Sequence, residues 1–412
     1  MKITNIVHGY FPALGGVEHL IRMVSEHLVS DFQDEVDVIT TDAFSTALFV
    51  DPSQKRMKVK EFPEEIAGVK VFRFKVDNSF AKFLKYLQEI AYRLHLPWNG
   101  FLRAVHLGPR LPGAIRMVKE TDADVILASS FPLLHMYYPF WAKTGKPIVL
   151  MGCFHPADTR NFDRKDVWKL IRRCDAYIAL TNFEKEFLVE RGIEGSKVHV
   201  IGGGVEVSTF HNHKKETDIR EKYGFEKNQN LIAFVGQQGG HKGVDTIIDS
   251  MEKVWLEEPD TGVLIVGGET PFTPQFKKAA EIVNTKSKGK GKIVIGGRIS
   301  EEEKIDVLHQ CDIFVSPSGH ESFGISTIEA WACSKPIVGC RIPATMSLID
   351  EYETGVLINY QDSEELSTVL VELLGDESLR RRLGENGYKK VSENYDWKII
   401  TKKFREVYKR LI

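Results

Sequence analysis

The sequence is poor in cysteine and has no pattern that would hold a disulfide framework or a structural zinc ion. Its 412 residues include five cysteines, and none of them forms a Cys-x-x-Cys pair. The five are Cys153, Cys174, Cys311, Cys333 and Cys340. Because disulfides persist in oxidising compartments and zinc sites need closely spaced ligands, this usage indicates a reduced protein without a metal site. We therefore expect a cytoplasmic location.

Long apolar runs are also missing, and neither sign of charge dominates. A membrane-spanning helix needs about 18 or more consecutive apolar residues, and no such run occurs. The residues after Met1 show neither the basic region nor the cleavage site of a secretory leader. The formal net charge of −2 gives no general attraction to nucleic acid or acidic membranes. We expect a soluble or peripheral protein that binds no nucleic acid.

Short apolar segments alternate with segments of helical period along the chain, which is typical of parallel sheets with crossover helices and predicts the α/β fold class. Strands are predicted first at residues 3–8, 36–40, 69–74, 125–129, 147–151, 176–180 and 198–201, and then at 231–236, 263–267, 292–296, 312–316 and 336–338. Helices are predicted at residues 16–30, 133–144, 166–172 and 183–191, and in a tail over 363–412. Since 412 residues exceed the usual size of one core, the two series predict two doubly wound, Rossmann-like domains.

The domain boundary is predicted where the first series of strands ends. The glycine run 202–204 has no phosphate-binding helix start behind it and is interpreted as the chain crossing between domains. The charged segment 214–230 that follows is also typical of a boundary region. We predict a first domain of residues 1–205 and a second domain of residues 206–395.

The strongest chemical signal follows the predicted strand 312–316. Glu321 stands at the start of a predicted helix, and Glu329 lies eight positions later within it. The unpaired N–H groups and positive dipole of a helix start suit a diphosphate, and Gly324 lets the phosphate come close. Glu321 would then accept hydrogen bonds from sugar hydroxyls, and Glu329 from ribose hydroxyls. The alternative is a helix with one capping acid and one surface acid.

A second signal is the run Gly-Gln-Gln-Gly-Gly-His-Lys-Gly over 236–243, between a predicted strand and a predicted helix. Glycines permit a tight turn beside a ligand, and Lys242 supplies a positive charge for phosphate. The spacing is not that of a Walker loop, and no Gly-x-Gly-x-x-Gly opens a dinucleotide fold. A structural turn is the alternative.

Three other positions carry weaker signals. Gly15 and Gly16 follow the first predicted strand, where their N–H groups would reach a phosphate or sugar, or where they would simply form a turn. His155 also follows a predicted strand, where such folds place functional groups, although a structural histidine fits equally. The acidic triplet 122–124 spells a metal-binding pattern but precedes a strand, so we predict a turn.

Residues 80–119 break the alternation of short apolar segments and helical segments, because basic side chains lie among the apolar ones. The basic residues are Lys82, Lys85, Arg93, Arg103, Arg110, Arg116 and Lys119. The apolar residues among them include Phe83, Tyr86, Trp98 and Phe101. Such a segment forms either an amphipathic helix pair packed on the sheet or a peripheral contact with a membrane surface or a lipid-linked acceptor.

Together these motifs resemble glycosyltransferase family 4, retaining enzymes of the GT-B architecture, over essentially the whole chain. The matching positions are Gly15, Gly16 and Glu18 near the start, the run 236–243, and Glu321 with Glu329, separated by seven residues as in the family. The resemblance implies two Rossmann-like domains facing across a cleft. It also implies a closing helix, residues 396–412, that returns to the first domain.

The same resemblance implies a hexosyltransferase-class enzyme that moves a sugar from a nucleotide-diphosphate donor to a hydroxyl of a glycan, lipid-linked or small-molecule acceptor, with retention and without a metal or cofactor. The residues it places at the catalytic centre are Lys242, Glu321 and His155. The residues it places around the donor are Gly15, Gly16, Gln237, Lys242, Ile299, Glu321, Phe323, Gly324, Ile325 and Glu329. In this assignment the Gly16 backbone meets the phosphate, Lys242 neutralises the diphosphate and Ile299 packs on the base.

One departure from the family pattern bears on function. Gln237 stands where the family has an arginine, which removes one positive charge beside a diphosphate. A non-catalytic subunit that binds nucleotide sugar or scaffolds a partner is therefore the alternative. A nucleotide-sugar epimerase of the same architecture fits the full pattern less well.

Overall fold

The chain forms two compact units. The structure, a computed structural model, describes residues 1–13, 15–154 and 158–412. The first unit comprises Met1–Gly203 together with Trp397–Ile412, and the second comprises Gly204–Asp396. No helix within the described ranges is both long and apolar enough to cross a membrane.

A parallel sheet organises the first unit. Its strands are β1 (Lys2–Ile6), β2 (Glu35–Thr41), β3 (Glu64–Ile66), β4 (Val69–Phe74), β5 (Val125–Ser129), β6 (Ile148–Met151), β7 (Ala176–Ala179) and β8 (Val198–Val200). The eight strands lie in the order β3-β4-β2-β1-β5-β6-β7-β8. All neighbours pair in parallel except β3, which is antiparallel to β4. Every residue of β5 is buried, as expected for a central strand covered on both faces.

Helices cover this sheet. They are α1 (Gly16–Phe32), α2 (Ala81–Arg93), α3 (Asn99–Leu107), α4 (Ala114–Glu120), α5 (Tyr138–Ala142), α6 (Thr159–Phe162), α7 (Lys165–Arg173) and α8 (Asn182–Glu190), with short 3-10 helices at Thr46–Phe49, Leu134–Tyr137 and Gly195–Lys197. The Thr181 side chain caps α8 by accepting a hydrogen bond from the Glu184 N–H at 3.1 Å. Thr181 is one of the two caps that the sequence predicts, and such caps satisfy N–H groups that the helix leaves open.

The second unit contains a second parallel sheet. Its strands are β9 (Leu231–Val235), β10 (Gly262–Val266), β11 (Ile293–Ile295), β12 (Ile313–Ser316), β13 (Ile337–Cys340) and β14 (Val356–Ile358). The six strands lie in the order β11-β10-β9-β12-β13-β14, and all pairs are parallel.

Amphipathic helices pack on the second sheet. They are α9 (Val207–His211), α10 (Ile219–Tyr223), α11 (Val244–Glu257), α12 (Thr273–Asn284), α13 (Glu301–Gln310), α14 (Ile325–Ala332), α15 (Pro343–Met346), α16 (Ser363–Gly375) and α17 (Glu377–Asn394), with a 3-10 helix at Gly240–Lys242. In α11, for example, Ile247, Met251 and Val254 recur at helical spacing and are fully buried in the core.

The last helix, α18 (Trp397–Lys409), belongs to the first unit. It packs against α1, where the Trp397 ring meets the edge of His19. The Arg405 guanidinium donates to the buried carboxylate of Asp34 at 2.7 Å. Aromatic packing and this ion pair together hold the end of the chain to the first unit.

Two parallel α/β sheets confirm the predicted fold class, and three details differ. The sequence does not predict β3 or β14, each of which has only three residues. The predicted single helix over 133–144 is instead a 3-10 helix followed by α5. Pro139 explains the break, since proline suits the first turn of a helix and disrupts its interior.

Two glycines let α17 approach α14, the helix that carries Glu329. A Cβ atom on Gly384 would overlap the carbonyl oxygen of Ser334, and one on Gly387 would overlap the buried ring of Trp331. Close packing of this kind leaves no room for even one methyl group. These two positions therefore fix how closely α17 supports α14.

We expect Gly384→Ala and Gly387→Ala each to lower the free energy of unfolding by about 1–3 kcal/mol because of overpacking, although alanine ordinarily favours a helix over glycine by about 1 kcal/mol. Gly375→Ala is the control, since among the described residues no atom outside its own helical turn lies within 4 Å of its Cβ position. Urea unfolding followed by circular dichroism measures all three. Equal stabilities would contradict the packing of α17 on α14.

Candidate functional site

The strand order of the second sheet brings two loops together. β9 and β12 are neighbours, with Ile232 beside Ile313 and Ala233 beside Phe314. The strand order changes direction here: β10 and β11 lie on one side of β9, and β12, β13 and β14 lie on the other. Ligands of open α/β sheets bind outside the carboxyl ends of the strands at such a point. The loops after β9 and β12 therefore form the candidate site.

Backbone contacts join the two loops. The Gly319 N–H donates to the His241 carbonyl oxygen at 2.9 Å. Gly243 has a φ of 71°, and a Cβ atom there would overlap the Pro317 carbonyl oxygen. Only glycine combines a left-handed conformation with so close an approach. The glycine that ends the run 236–243 thus holds one loop against the other.

This contact places Lys242 beside Glu321. The Lys242 Nζ atom lies 2.5 Å from a carboxylate oxygen of Glu321, and each side chain is 20% exposed. The two residues are 79 positions apart in the chain. The structure therefore brings together two of the residues that the sequence assigns to the catalytic centre, and both remain within reach of solvent.

The two glutamines of the run 236–243 have opposite environments. Gln237 is exposed. Gln238 is fully buried, and its side-chain amide donates to the Gly296 carbonyl oxygen at 2.6 Å. That bond ties the loop after β9 to the end of β11. No role is predicted for Gln238, because the sequence does not show which of the two glutamines is buried.

α14 begins at Ile325, four residues after Glu321. Gly324 caps this helix with a φ of 108°, a left-handed conformation that favours glycine. Ile325 opens the helix, and its first N–H groups have no acceptor within the helix itself. Phe323 is buried, with its ring edge against Tyr395 at 5.5 Å between centroids. Phe323 therefore anchors the loop that leads into α14.

Glu329 is buried inside α14 and forms an ion pair. The Lys304 Nζ atom of α13 lies 2.6 Å from its carboxylate and 2.5 Å from that of Glu301. Burial raises the pKa of Glu329, and the charge of Lys304 opposes this rise. Burial also acts to lower the pKa of Lys304, but the two carboxylates together outweigh it and raise that pKa. Lys304 therefore stays charged beside Glu329.

Lys304 is the residue of this region that the sequence analysis misses. It lies 25 positions before Glu329, so no local spacing connects the two. Ile299, which the sequence places at the base, lies five residues earlier and packs half-buried against the apolar cluster beneath β9 and β10. Its position just before α13 is the one signal that would have directed attention to Lys304.

In the first unit, Glu18 organises the loop that contains Gly15 and Gly16. Both glycines are exposed at the start of α1. A Cβ atom on Gly15 would overlap the Glu18 carboxylate, which bonds His8 at 3.0 Å. Burial acts to raise the pKa of Glu18, but the hydrogen bond and charge of His8 outweigh it and lower that pKa. Gly15 thus leaves room for the Glu18–His8 pair.

Other buried polar groups lie near the carboxyl ends of the first sheet. The His8 ring stands 5.9 Å from that of His135, whose pKa burial lowers to about 3. Glu184 accepts a hydrogen bond from Tyr177 at 2.7 Å, and burial raises its pKa to about 6. His155 lies outside the described residues.

The acidic triplet has a structural role. The Lys2 ammonium pairs with Asp122 at 2.6 Å, and the Lys2 backbone N–H donates to the Asp124 carboxylate at 2.8 Å. Both carboxylates therefore fasten the start of β1 to the segment before β5. The triplet lies in an irregular segment with a bend at Asp124, directly before β5.

Comparison with protein families decides the class of the protein. Residues 14–209 match the family described as Glycosyltransferase Family 4, and residues 215–390 match the family described as Glycosyl transferases group 1. The chain is a family 4 glycosyltransferase.

Relatives of similar length agree with this assignment. The glycosyltransferase is 26% identical over 411 residues to an uncharacterised glycosyltransferase of Methanocaldococcus jannaschii. The match covers 98% of this chain and 97% of that protein. It is 22% identical over 391 residues to the alpha-maltose-1-phosphate synthase of Mycolicibacterium smegmatis, covering 86% of this chain and 98% of that protein.

Solved structures show the same fold. Sucrose-phosphate synthase from Thermosynechococcus elongatus superposes with a TM-score of 0.71 at 18% identity, covering 100% of this glycosyltransferase and 98% of that chain. HepE of Anabaena, solved in complex with UDP and glucose, superposes with a TM-score of 0.70 at 18% identity over 100% of both chains. The fold is therefore that of the GT-B glycosyltransferases.

We expect Lys304→Met to lower the free energy of unfolding of this glycosyltransferase by about 3 kcal/mol or more, because it leaves the buried Glu329 carboxylate without its cation. The double variant Lys304→Met/Glu329→Leu should regain most of the loss, since it removes the unpaired charge. Chemical denaturation measures both.

The control for this prediction is Lys222→Met. Lys222 also pairs with a glutamate of α13, Glu303, at 2.6 Å, but its side chain is 46% exposed. Breaking an exposed pair should cost less than about 1 kcal/mol. A double variant as unstable as Lys304→Met would contradict the buried ion pair.

Proposed function

We propose that this glycosyltransferase transfers a sugar from a nucleotide-diphosphate sugar to a hydroxyl acceptor, with retention of configuration and without a metal ion. One observation carries the proposal: Lys242 lies 2.5 Å from Glu321, which precedes the first residue of α14 by four positions. A cation and N–H groups without a helical acceptor suit the diphosphate of such a donor, and a carboxylate suits the hydroxyls of its sugar.

The charge of the diphosphate supports this placement. As the bond from the sugar to the phosphate breaks, negative charge grows on the leaving oxygen. The Lys242 ammonium and the N–H groups at Gly324 and Ile325 are fixed donors, and fixed donors stabilise such charge without reorganising. The positive end of the α14 dipole adds to this effect.

The pair of Lys242 and Glu321 also suggests how the donor is received. Without ligand, the ammonium neutralises the carboxylate. A diphosphate would draw Lys242 toward its own charge, which frees Glu321 to accept hydrogen bonds from the hydroxyls of the sugar. Since both side chains are 20% exposed, a ligand can reach them, and the exchange replaces one charged contact with another.

Glu329 and Ile299 are proposed to hold the nucleoside. Glu329 is assigned to the ribose hydroxyls, and Lys304 keeps its carboxylate in place within 2.6 Å. Ile299 offers a half-buried apolar surface for the base. Among the similar structures, HepE of Anabaena is solved with UDP and glucose, so a uridine nucleotide is the first donor to test.

The chemistry requires no cofactor in this proposal. The acceptor oxygen forms a bond to the anomeric carbon on the face from which the diphosphate leaves, and the bond from that carbon to the phosphate oxygen breaks. The hydroxyl proton passes to the leaving phosphate. Gly15, Gly16 and His155 are assigned to the transfer only through the family resemblance. Acceptors remain a class: glycan, lipid-linked or small-molecule hydroxyls.

We expect Lys242→Ala and Glu321→Ala each to lower kcat/KM for donor turnover by about 100-fold or more, since each removes a group that meets charge or hydroxyls in the transition state. A coupled assay of nucleotide release across a panel of nucleotide sugars measures this. Lys253→Ala is the control, because Lys253 is an exposed lysine of α11 in a surface pair. Unchanged turnover by either site variant, with the fold intact, would refute the assignment.

We expect Gln237→Arg to tighten binding of a nucleoside diphosphate by about tenfold, because hydrogen bonds to charged groups contribute about 1.5–3 kcal/mol. Gln237 is exposed, so the longer side chain has room. Isothermal titration with UDP gives the dissociation constant. Gln237→Leu adds no charge, so tighter binding in Gln237→Arg but not in Gln237→Leu would assign the effect to the added charge. An unchanged dissociation constant in Gln237→Arg would place the diphosphate away from this loop.

A further inference from the structure

Helix α2 (Ala81–Arg93) turns its small and polar residues inward. Its buried residues are Ala81, Gln88 and Ala91. Gln88 accepts a hydrogen bond from Arg103 of α3 at 3.3 Å, so a polar contact lies on the inner side. A helix that covers a sheet normally buries its large apolar residues there. α2 therefore buries only part of its apolar surface.

Three large apolar residues of α2 and its C-cap residue face outward instead, whereas Leu84 and Leu87 are half-buried. Phe83, Tyr86, Ile90 and Leu94 are 62%, 70%, 55% and 64% exposed. Their spacing of three or four residues places them on one side of the helix. We call these four residues the outer face. Phe80, Tyr92, Trp98 and Phe101 are also exposed by 42% or more, which extends the apolar surface beside it.

An exposed apolar surface of this kind marks an interaction site, because isolated globular proteins rarely keep large contiguous apolar patches in water. The patch is rich in aromatic rings. Tyrosine and tryptophan favour the boundary between water and lipid, where the ring is buried and the polar group stays hydrated.

The charge beside the outer face is mainly positive. α2 contains three basic residues, Lys82, Lys85 and Arg93, and a single acid, Glu89. Glu89 is already paired, at 3.2 Å with Arg93 and at 2.8 Å with Arg160. Lys82 and Lys85 are exposed next to Phe83 and Tyr86. α2 is therefore a basic helix in a chain whose formal net charge is −2.

This charge distinguishes between possible occupants. In a symmetric dimer the same patch meets itself, which would bring Lys82 and Lys85 of both copies into one interface. The centres of protein–protein interfaces are also depleted in lysine. A surface that combines exposed aromatic residues with lysines fits an anionic lipid bilayer, where the apolar face enters the headgroup boundary and the cations meet lipid phosphates.

We propose that α2 and its outer face attach this glycosyltransferase to the surface of an anionic membrane. The contact is peripheral: α2 has 13 residues, and its outer face lies along the bilayer rather than across it. The proposal is independent of the proposed donor chemistry, since binding to lipid is measured without any donor or acceptor.

The test is co-sedimentation of the full chain with phosphatidylcholine vesicles, with and without phosphatidylglycerol. We expect binding at least about tenfold tighter to the anionic vesicles, weakening as salt screens the charges. Phe83→Ser/Tyr86→Ser/Ile90→Ser should lose at least about tenfold in binding. Lys82→Gln/Lys85→Gln should weaken binding to the anionic vesicles by about fivefold per lysine. This variant tests the proposal even if the triple variant fails to fold.

The controls change matched residues elsewhere. Leu256→Ser/Ile282→Ser removes side chains that are 73% and 51% exposed on α11 and α12, and Lys214→Gln/Lys227→Gln removes two exposed lysines of the second unit. Both should bind like the wild type. No pelleting with anionic vesicles, or equal pelleting of the variants of α2 and the controls, would overturn the proposal. A wild-type dimer that the triple variant converts to a monomer, seen by light scattering, would assign the face to a second copy instead.

Discussion

The pairing of β9 with β12 is the constraint on which the chemistry of the second unit depends. Because the two strands are parallel neighbours, the loops that follow them lie side by side at the carboxyl end of the sheet. The Gly319 N–H and the His241 carbonyl then join those loops at 2.9 Å. Lys242 and Glu321 meet as a result of sheet topology, with 79 positions between them. A side chain larger than hydrogen at Gly243 would separate the loops and with them the two charges.

Support for this edge comes from farther along the chain. α14 is short, eight residues from Ile325 to Ala332, and an isolated helix of that length has little stability in water. It is held by burial of Ile328 and Trp331 and by the close approach of α17 at Gly384 and Gly387. The N–H groups at the start of α14 are therefore kept in place by packing at its other end. The glycines of α17 matter to the site although they touch no part of it.

The regular core could be predicted from the sequence because burial on both faces imposes a visible pattern. Each strand of the second sheet from β9 to β13 was expected within two residues of its observed bounds, since runs of branched apolar residues mark them. β14, Val356–Ile358, was not predicted, although it is as long as β11, which was. Pairing across distance was equally invisible: the ion pair of Lys304 with Glu329 depends on how α13 and α14 pack, and neither residue signals the other.

The outward stripe of α2 shows a different limit of sequence reasoning. The pattern Phe83, Tyr86, Ile90 is amphipathic whichever way the helix is turned. Only the structure shows that Ala81 and Ala91 occupy the inner side. Periodicity thus predicts that a helix has two faces, while tertiary packing decides which of them the protein buries.

The two lysine–glutamate pairs of the second unit differ in a way that bears on their proposed roles. Lys242 and Glu321 are each 20% exposed, whereas the Lys304 and Glu329 side chains are 15% and 10% exposed. Opening a buried pair leaves charges without water or partner, and this costs several kcal/mol. Opening the more exposed pair costs less, since water or a diphosphate can replace the lost contact. Of the two pairs, that of Lys242 and Glu321 is therefore the better suited to the proposed exchange of partners, and the pair of Lys304 and Glu329 is the better suited to hold a carboxylate still.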